Sequence, residues 1–334
     1  MPGKQRIRVG LDIGNDAVKI VEMIRSDGKM LLGAAAVKKI RRAGREGVVD
    51  SIRELAAENG VTAKDANISV SGPSVIVRFI VMPRMTESDL KNAIRFEAEK
   101  HIPFDIGECV IGHHLIKRGR KDGKQDVILV AAKKDMVAER VKMAESAGFS
   151  VGVVDVDEFA VTNSFMSNFP DFGPDKTAAL LNIGSKITNV SILCGSSILL
   201  ARDIGIGGRD FDAAVSKALN LAPSDAEKLR IAPGDRLPEI VACTKSICGS
   251  LCDDIKLSFG YYENQCGKGV EEVYLSGGGS AFEGIAGQLQ ETLGLKAAAW
   301  DPLRFLDKSS SRTDAGKIEM IRGHLAVASG LALR

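Results

Sequence analysis

Apolar and polar residues alternate over much of the first 40 positions of the chain. A period of two is typical of β-strands, because successive side chains of a strand point to opposite faces of the sheet. The pattern predicts three strands, RVGLDI, AVKIVEMI and MLLGAAAV, with turns at 14–16 and 27–29, where glycine and aspartate allow the chain to reverse. The chain is therefore expected to open with a three-stranded meander.

The same pattern returns farther along the chain, in the segments AALLNIG, ITNVSIL and SILLARDI. Leu11-Asp-Ile-Gly-Asn in the first meander and Leu181-Asn-Ile-Gly-Ser in the second both end the first strand, and they stand 170 positions apart. The recurrence of one supersecondary unit predicts two related lobes. The segment PDFGPDK at 170–176 is rich in proline, glycine and aspartate, and we expect it to be the hinge between the lobes.

Apolar positions spaced three and four apart predict helices between and after the meanders. The predicted helices are Val48–Asn59, Thr86–His101, Asp135–Ala147, Asp157–Asn168, Gly208–Leu219, Ser224–Ile231, Glu239–Cys266, Ala281–Leu293 and Met320–Leu333. Further strands are predicted at 67–72, 75–82, 109–116, 127–132, 151–156, 270–279 and 295–300. The polar segment 307–317 before the last helix is expected to be a mobile loop.

These elements predict a division of the chain into two lobes and an insert. The first lobe is expected at 1–82, with 157–170 returning to it, and an αββαβ insert at 83–156. The second lobe is expected at 171–334, with a helical subdomain at about 209–266. A length of 334 residues suits this division, because it is too long for one simple core.

Composition excludes several classes of protein. The net charge is +2, from 45 basic and 43 acidic residues, and aromatic residues make up only 5%, so neither a general field nor a stacking surface recruits nucleic acid. We find no apolar export signal and no run of about 18 apolar residues, so the protein is expected to be cytoplasmic with no membrane span of its own. The six cysteines form no CxxC pair, which disfavours a structural zinc site.

Three glycine-bearing turns carry the candidate chemistry, and each follows a predicted strand. They are Gly14-Asn-Asp-Ala, Gly184-Ser-Lys-Ile-Thr and Gly277-Gly-Gly-Ser. Glycine lets backbone N–H groups approach an anion closely, and the third turn leads into a helix, whose N-terminus favours negative charge. Neither GxxxxGK[ST] nor GxGxxG occurs, which excludes the two commonest nucleotide-binding loops.

This set of turns resembles the actin-like ATPase superfamily. LDIGNDAVK is similar to its first phosphate loop, LNIGSKIT to its second, and YLSGGGSAFEGI to its adenosine motif. Within the superfamily, nearly the whole chain resembles the PilM family of type IV pilus assembly proteins. The segments that carry this likeness are MPRMTESDLKNAIRFEAEKHIPF, VILVAAKKDMVAERVKMAESAGF, VVDVDEFAVTNSF, GGRDFDAAVSKALNL and HLAVASGLALR. The resemblance implies an FtsA-like α/β fold with two actin-like lobes, built from ribonuclease H-like βββαβαβα repeats, and the insert in the first lobe.

The resemblance also implies that ATP binds between the lobes together with Mg²⁺. Asp12 is expected to hold the ion through water, because Mg²⁺ gives up its waters reluctantly. The other residues expected at the nucleotide are Gly14, Asn15, Asp16 and Ala17 in the first loop, Gly184, Ser185 and Thr188 in the second, Gly207, Gly208, Glu227 and Arg230 around the ribose and base, and Gly277, Gly278 and Gly279 under the adenine.

Two positions depart from the superfamily pattern. Asn182 stands where the second phosphate loop usually begins with aspartate, and Arg230 stands where relatives often carry lysine. The neutral amide attracts a hard cation less than a carboxylate does, so ATP hydrolysis is expected to be slow or absent while ATP binding survives. Asp155, Asp157 and Glu158 suggest paired catalytic carboxylates, but a role as helix-start residues, whose charge suits a helix N-terminus, explains them at least as well.

By the same resemblance, the protein is an ATP-binding scaffold that docks the short cytoplasmic N-terminus of a PilN-type inner-membrane pilus protein. This partner would hold it at the periphery of the inner membrane, and self-association is left open. The insert is the expected docking surface, through Phe96, Ile102, Pro103 and Phe104.

Two alternative functions remain at this stage. A small-molecule kinase of the same superfamily needs a carboxylate near the acceptor hydroxyl, and none is found at the second phosphate loop. An FtsA-like division protein would anchor through a basic amphipathic tail, whereas this sequence ends in GLALR.

Overall fold

The computed structural model describes residues 6–116 and 123–334. Most of the polar turn KRGRKDGKQD, predicted between two strands of the insert, lies outside the described residues. In the described part, strands and helices alternate along the chain. The strands are β1 (Arg6–Ile13), β2 (Ala17–Ser26), β3 (Lys29–Lys39), β4 (Asp65–Val70), β5 (Val75–Pro83), β6 (Cys109–Ile116), β7 (Lys124–Lys133), β8 (Ser150–Val156), β9 (Thr177–Ile183), β10 (Thr188–Cys194), β11 (Ser197–Ile204), β12 (Glu272–Ser276) and β13 (Lys296–Ala299). The helices are α1 (Arg45–Glu58), α2 (Glu87–His101), α3 (Lys134–Ser146), α4 (Asp157–Asn168), α5 (Gly208–Leu219), α6 (Pro223–Ile231), α7 (Leu237–Cys266), α8 (Ile285–Leu293), α9 (Ala315–Ile321) and α10 (Ala326–Ala332).

Two five-stranded sheets with one topology form the centres of the two lobes. Their strand orders are β3-β2-β1-β4-β8 and β11-β10-β9-β12-β13. In each sheet the meander is antiparallel, and the two later strands run parallel to the first strand of the meander. The recurrence in the sequence therefore corresponds to a repeated unit of structure.

The central strand of the second sheet shows why the sequence folds this way. β9 reads TAALLNI and is buried at every position, as expected for a strand that is covered on both faces. Its side chains enter a large core together with those of α4, α7 and β12. The first strand of the other sheet is buried from Val9 to Ile13, so both strands end as rigid supports for the turns that follow them.

The insert differs from the predicted αββαβ unit at 83–156. β5, β7 and β6 form a separate three-stranded sheet, and α2 packs on one of its faces through Leu90 and Ile94. β8 instead pairs with β4 at the edge of the first-lobe sheet, and α3 packs against α1 and β4. Short β-branched runs such as VIVRFIVM and VGVVDV predict strands, but they do not show which partner each strand will choose.

The final segment of the chain returns to the first lobe, although the sequence assigned it to the second. Leu303, Ile318 and Leu325 pack with residues of β2 and β3 in one apolar cluster. α10 packs between β1 and α4, and glycines allow the close approach: a Cβ on Gly10 would lie 1.9 Å from the carbonyl oxygen of Ala328.

Three local predictions in the last third of the chain are wrong. The helix predicted at 320–333 is broken by a 3-10 turn at Arg322–Leu325 between α9 and α10. The helix predicted from Ala281 begins at Ile285, after a 3-10 turn at Gly278–Ala281. The segment 307–317 is anchored rather than loose, because Arg312 pairs with the buried Glu22 and Thr313 exchanges two hydrogen bonds of 3.0 Å with the backbone of Ala35.

Among residues 6–116 and 123–334, no helix combines the length and the apolar character that crossing a bilayer requires.

Candidate functional site

A cavity opens between the two lobes where the first strands of the two sheets end. β1 stops at Ile13 and β9 at Ile183, and the turns that begin at Gly14 and Gly184 both line the space. The cavity measures about 190 Å³, below the roughly 300–1,000 Å³ of ordinary ligand pockets. The space is therefore smaller than a pocket that holds a whole nucleotide.

Most residues predicted for the nucleotide site line this cavity. They are Asp12, Gly14, Asn15, Asp16, Ala17, Gly184, Ser185, Gly208, Glu227, Arg230, Gly278 and Gly279. Asp12 and Gly279 are 267 positions apart in the sequence. They meet here because each follows or ends a central strand of its own lobe.

The remaining three predicted residues shape the loops instead of facing the cavity. The Thr188 hydroxyl is buried and donates to the carbonyl oxygen of Ile206 at 2.7 Å. Gly277 has φ +89°, and a Cβ there would lie 2.3 Å from the carbonyl oxygen of Ile183. A Cβ on Gly207 would lie 2.6 Å from the carbonyl oxygen of Ser185. These positions need a small residue or an inward hydroxyl for packing.

The two phosphate-loop candidates have the same backbone geometry. The Gly14 N–H donates to the carbonyl oxygen of Ala17 at 3.1 Å, and the Gly184 N–H donates to that of Ile187 at 2.9 Å. The N-terminus of α5 also borders the cavity at Gly208, beside the second turn. The N–H groups of Gly208 and Arg209 already donate to the carbonyl oxygens of Gly184 and Ser185, at 2.8 and 2.9 Å, so the start of this helix favours an anion through its dipole rather than through free N–H groups.

The cavity is also lined by four basic side chains that the sequence analysis did not assign to it. They are Lys19, Lys39, Arg140 and Arg209. Lys19 stands opposite Asp12 in the β1–β2 ladder, and its Nζ lies 3.0 Å from Asp12 Oδ2. The turn at 14–16 fixes this pairing, so strand register was the signal that could have revealed Lys19.

Two ion pairs join the lobes across the cavity. The Asp16 carboxylate accepts hydrogen bonds from Arg209 and Ser185 of the second lobe, and the Nε contact is 2.8 Å. Burial acts to raise the pKa of Asp16, but these hydrogen bonds hold it below its ordinary value. Lys39 Nζ lies 2.6 Å from Glu227 of α6. Asp16 was predicted to offer its N–H to phosphates, and its carboxylate is an additional feature of the site.

Arg230 and Glu227 have separate partners, although they are one helical turn apart. Arg230 is 2% exposed, its Nε lies 2.6 Å from Asp212 of α5, and its guanidinium also donates to the carbonyl oxygen of Gly279 at 3.4 Å. A buried arginine with two fixed acceptors holds the glycine turn against α5. Glu227 faces the opening, where it meets Lys39.

Asp157 adds a carboxyl group at the inner wall of the cavity. It is the first residue of α4, and it accepts a hydrogen bond of 2.6 Å from the Ser69 hydroxyl. Burial, reinforced by the negative charge of Asp12, raises the pKa of Asp157 to about 6. The helix-start interpretation was therefore incomplete, because the side chain also lines the cavity and can accept a proton near neutral pH.

Asn182, the departure from the superfamily pattern, is held by side chains on both sides. Its Nδ2 donates to Asn189 Oδ1 at 2.8 Å, and its Oδ1 accepts from the Ser276 hydroxyl at 3.3 Å. Both polar ends of the amide are thus engaged, and the side chain is 9% exposed. These two contacts set the orientation of the amide.

His324 lines the cavity beside Gly278, where no sequence pattern marked it. A Cβ on Gly278 would lie 2.9 Å from the imidazole ring, so this glycine makes room for the histidine. Burial lowers the pKa of His324, and the charge of Lys19 adds to the effect. The imidazole is consequently neutral at pH 7.

A metal site made by protein ligands alone is absent from the described part of the chain, where no group of three or more His, Cys, Asp or Glu side chains has a suitable arrangement. Mg²⁺ bound through nucleotide phosphates commonly needs only one or two carboxylates and several waters. Asp12 lines the cavity and satisfies that requirement.

The predicted docking residues on the insert are only partly available at the surface. Ile102 is 6% exposed and belongs to the core between α2 and the small sheet. Phe104 is half-buried beneath Lys133, whose Nζ lies 4.7 Å from the ring centre. Phe96 is 70% exposed and Pro103 is exposed as well, but they leave no continuous patch with the other two.

A second cavity, which we call the groove, lies beneath the opposite face of the small sheet and measures about 630 Å³. β6 and β7 form its roof through Gly112, His114 and Val130, and β8 and α4 form its floor. Arg334 closes one side, where its Nε lies 2.6 Å from Asp155 Oδ2. The turn between β10 and β11 completes the wall, so both lobes and the insert contribute to this space.

Two sheets of the same order that face each other across such a cavity define the actin-like fold, and solved structures agree. The ethanolamine utilization protein EutJ from Carboxydothermus hydrogenoformans matches with a TM-score of 0.59 at 14% identity, over 100% of this chain and 90% of that one. MreB5 of Spiroplasma citri bound to ADP matches with a TM-score of 0.51 at 11% identity, over 97% and 94%. The predicted fold class is therefore confirmed.

Two further matches identify the family. The chain of a structure described as the PilM-PilN type IV pilus biogenesis complex has a TM-score of 0.86 and 28% identity, and the match covers 98% of both chains. The family model for the type IV pilus assembly protein PilM matches residues 10–334. The chain belongs to the PilM family of type IV pilus assembly proteins. The resemblance noted in the sequence is thereby confirmed.

Proposed function

We propose that the protein is a nucleotide-responsive scaffold of type IV pilus assembly, which binds ATP between its lobes and docks the cytoplasmic N-terminus of a PilN-type protein. The observation that carries the proposal is the convergence of two matching turns, a helix N-terminus and several cations on one cavity. This arrangement suits a polyphosphate, because backbone N–H groups and cations supply its ligands from both lobes.

Different residues would bind different parts of the nucleotide. The first turn and Lys19 would hold the outer phosphates from below, and the second turn, with Arg209, would hold them from above. The glycine turn at 277–279, fixed by Arg230, would support the base. Asp12 would hold hydrated Mg²⁺, which neutralises phosphate charge when it is bound.

Hydrolysis is proposed to be slow. Asn182 supplies no charge for the metal, and both ends of its amide are already engaged. Asp157 is the carboxyl group that could accept a proton from an attacking water, but half of it is protonated near pH 6. The identity of the bound nucleotide, rather than repeated hydrolysis, would therefore determine the state of the protein.

The groove is the proposed docking site for the partner peptide. Among the described residues, no strand pairs with the outer side of β6, so an extended peptide could pair with it. Asn163 on the floor has a buried Nδ2 without a hydrogen-bond partner among the described residues, and a peptide carbonyl oxygen would satisfy this donor. The structure named for the PilM-PilN complex supplies the kind of partner.

Thermal unfolding with and without Mg-ATP tests the nucleotide site. At about 100 times Kd the linkage contributes roughly 2.7 kcal/mol, which gives a measurable rise in Tm. Gly208→Asp should abolish this rise, because it adds a carboxylate to the cavity with ordinary contacts, the nearest at 3.4 Å. Gly287→Asp is the matched control, since its Cβ would meet nothing within 4 Å. No rise with the wild type, purified free of nucleotide, would contradict the proposal.

Calorimetry with a synthetic PilN-type N-terminal peptide tests the groove. Gly112→Gln should abolish binding, because the new side chain would enter the groove where a Cβ meets nothing within 4 Å. Phe96→Gln, on exposed α2, is the comparison variant and should bind normally. The reverse result would move the docking site to the helical face of the insert.

A further inference from the structure

The cavity between the lobes and the groove share one wall, the junction of β8 and α4. Asp157 lines the cavity, whereas Asp155 and Val156 before it and Phe159 after it line the groove. Close-packed interiors have few voids that could absorb a displacement. A movement of this junction must therefore change both spaces together.

A chain of buried polar side chains leads from the second phosphate loop towards this junction. Asn182 donates to Asn189 at 2.8 Å, and Asn189 Nδ2 donates to Asp203 Oδ1 of β11 at 2.6 Å. The second oxygen of Asp203 accepts from the backbone N–H of Gly72 at 2.6 Å. Asp203 thus already connects the second lobe to the first.

Glu158, the second residue of α4, continues this chain. It is 3% exposed, and its Oε2 has no hydrogen-bond partner within residues 6–116 and 123–334. Burial, together with the negative charges of Asp203 and Asp157, raises the pKa of Glu158 well above its ordinary value. The Glu158 side chain also lies within hydrogen-bonding reach of the Asp203 carboxylate, so a proton shared between the two groups would join α4 to the second lobe.

We propose that Glu158 and Asp203 are positioning residues that couple nucleotide in the cavity to peptide in the groove. A ligand that engages the second phosphate loop changes the setting of Asn182 and Asn189, and the Glu158–Asp203 contact passes that change to α4. The floor of the groove at Phe159 and Thr162 then moves with the helix. The inference rests on the proposed function, because it requires both ligands.

Peptide affinity measured with and without saturating Mg-ATP gives a coupling ratio for each variant. In the wild type this ratio should differ from one by about fivefold or more, which is the lower range for coupled sites. Glu158→Gln keeps a neutral donor of the same size and should preserve the ratio. Glu158→Leu removes the donor and should bring the ratio to about one, while each ligand alone binds within about threefold of wild type. A merely structural role would weaken binding without changing the ratio.

The outcomes separate the inference from the proposed function. If both ligands bind the wild type and the ratio is one, or if Glu158→Leu keeps the wild-type ratio, the coupling role is wrong and the scaffold remains. If the wild type does not bind Mg-ATP, or does not bind the peptide, the proposed function is wrong and the inference fails with it. If Glu158→Leu does not fold, Asn189→Ala interrupts the same chain in the other lobe, and an unchanged ratio there is equally contradictory.

Discussion

Single residues in the cavity are fixed by neighbours of opposite or complementary polarity. Lys19 and Asp12 lie 3.0 Å apart, and Asp157 accepts a hydrogen bond from Ser69. Each contact fixes the position from which a side chain can contact a ligand, because leaving a buried polar group without its partner costs free energy. Substitutions of one atom or one charge should therefore have separable effects on binding and on stability.

Lys19→Met should weaken Mg-ATP binding by about tenfold or more, because it removes a cation from the phosphate end and leaves Asp12 without its partner. A fluorescent ATP analogue titrated at equilibrium measures the change. Lys256→Met is the control, since Lys256 is exposed on α7, away from both cavities. Equal affinities for the wild type and Lys19→Met would exclude Lys19 from the site.

Asn182→Asp should lower the free energy of unfolding by about 1–3 kcal/mol in the absence of ligand, because the amide donor to Asn189 is lost in a buried setting. Mg-ATP should reverse much of this loss, since the new carboxylate can face the metal. Urea unfolding and single-turnover hydrolysis measure the two effects. If turnover does not rise, Asn182 is not what limits hydrolysis.

Asp157→Asn should stabilise the protein at pH 8 and have little effect near pH 4. The pKa of Asp157 is raised to about 6 in the folded protein from the ordinary 3.8, so the folded state binds the proton more tightly. The resulting penalty of about 3 kcal/mol is absent below the unfolded pKa, develops as the pH rises from about 4 to 6, and is complete above it. Urea unfolding across this range measures the difference, with exposed Asp235→Asn as the control. A difference that did not depend on pH would contradict this account of Asp157.

The chain enters and leaves the small-sheet unit at neighbouring points, so this unit can be removed without cutting the first-lobe sheet. The N–H of Lys133 donates to the carbonyl oxygen of Ser74 at 3.1 Å, so the two ends of the small-sheet unit are neighbours. β8, by contrast, is an integral strand of the first-lobe sheet. The boundaries chosen for a deletion therefore decide its outcome.

Replacing 75–132 with a short glycine-serine linker should leave a folded protein that still responds to Mg-ATP but no longer binds the peptide. Deleting 83–156 should unfold the first lobe, because it removes β8 and α3 from the sheet and its cover. Circular dichroism and the ATP-dependent rise in Tm distinguish the two proteins. Retained peptide binding by the shorter deletion would show that the insert does not form the docking site.

The sequence predicted most elements to within a few residues, since the meanders and amphipathic helices carry strong periodicities. It could not predict that β5 leaves the first sheet while β8 joins it, because strand pairing depends on the whole fold. Asp157 and His324 were missed for the same reason. Their position in the cavity follows from how α4 and the turn at 322–325 pack, and no local pattern encodes that packing.

The whole molecule is held partly closed by contacts between its lobes. Asp16 with Arg209, and Lys39 with Glu227, cross the opening, and the space between them is smaller than an ordinary ligand pocket. Exposed ion pairs contribute only about 0–1 kcal/mol each. Such contacts bias the lobes towards closure but let thermal motion separate them.

Lys39→Ala should accelerate nucleotide association by up to about fivefold, because the loss of up to roughly 1 kcal/mol from the closed state makes the open state more frequent. Stopped-flow mixing with a fluorescent ATP analogue measures the rate. Lys228→Ala is a matched control, because Lys228 pairs with Asp225 within α6 and does not cross the opening. An unchanged rate in Lys39→Ala would mean that this pair does not limit entry.

The packing of α10 against Gly10 of β1 has a consequence for how the protein is made. The first-lobe sheet draws three of its strands from the first 39 positions, yet the helix that covers β1 is encoded at 326–332. A ribosome synthesises these parts far apart in time, and domains generally fold as their residues emerge. One apolar face of the amino-terminal sheet must therefore remain uncovered until residues 326–332 have left the exit tunnel. During synthesis this face would be a natural target for chaperones, and completion of the first lobe would follow that of the second.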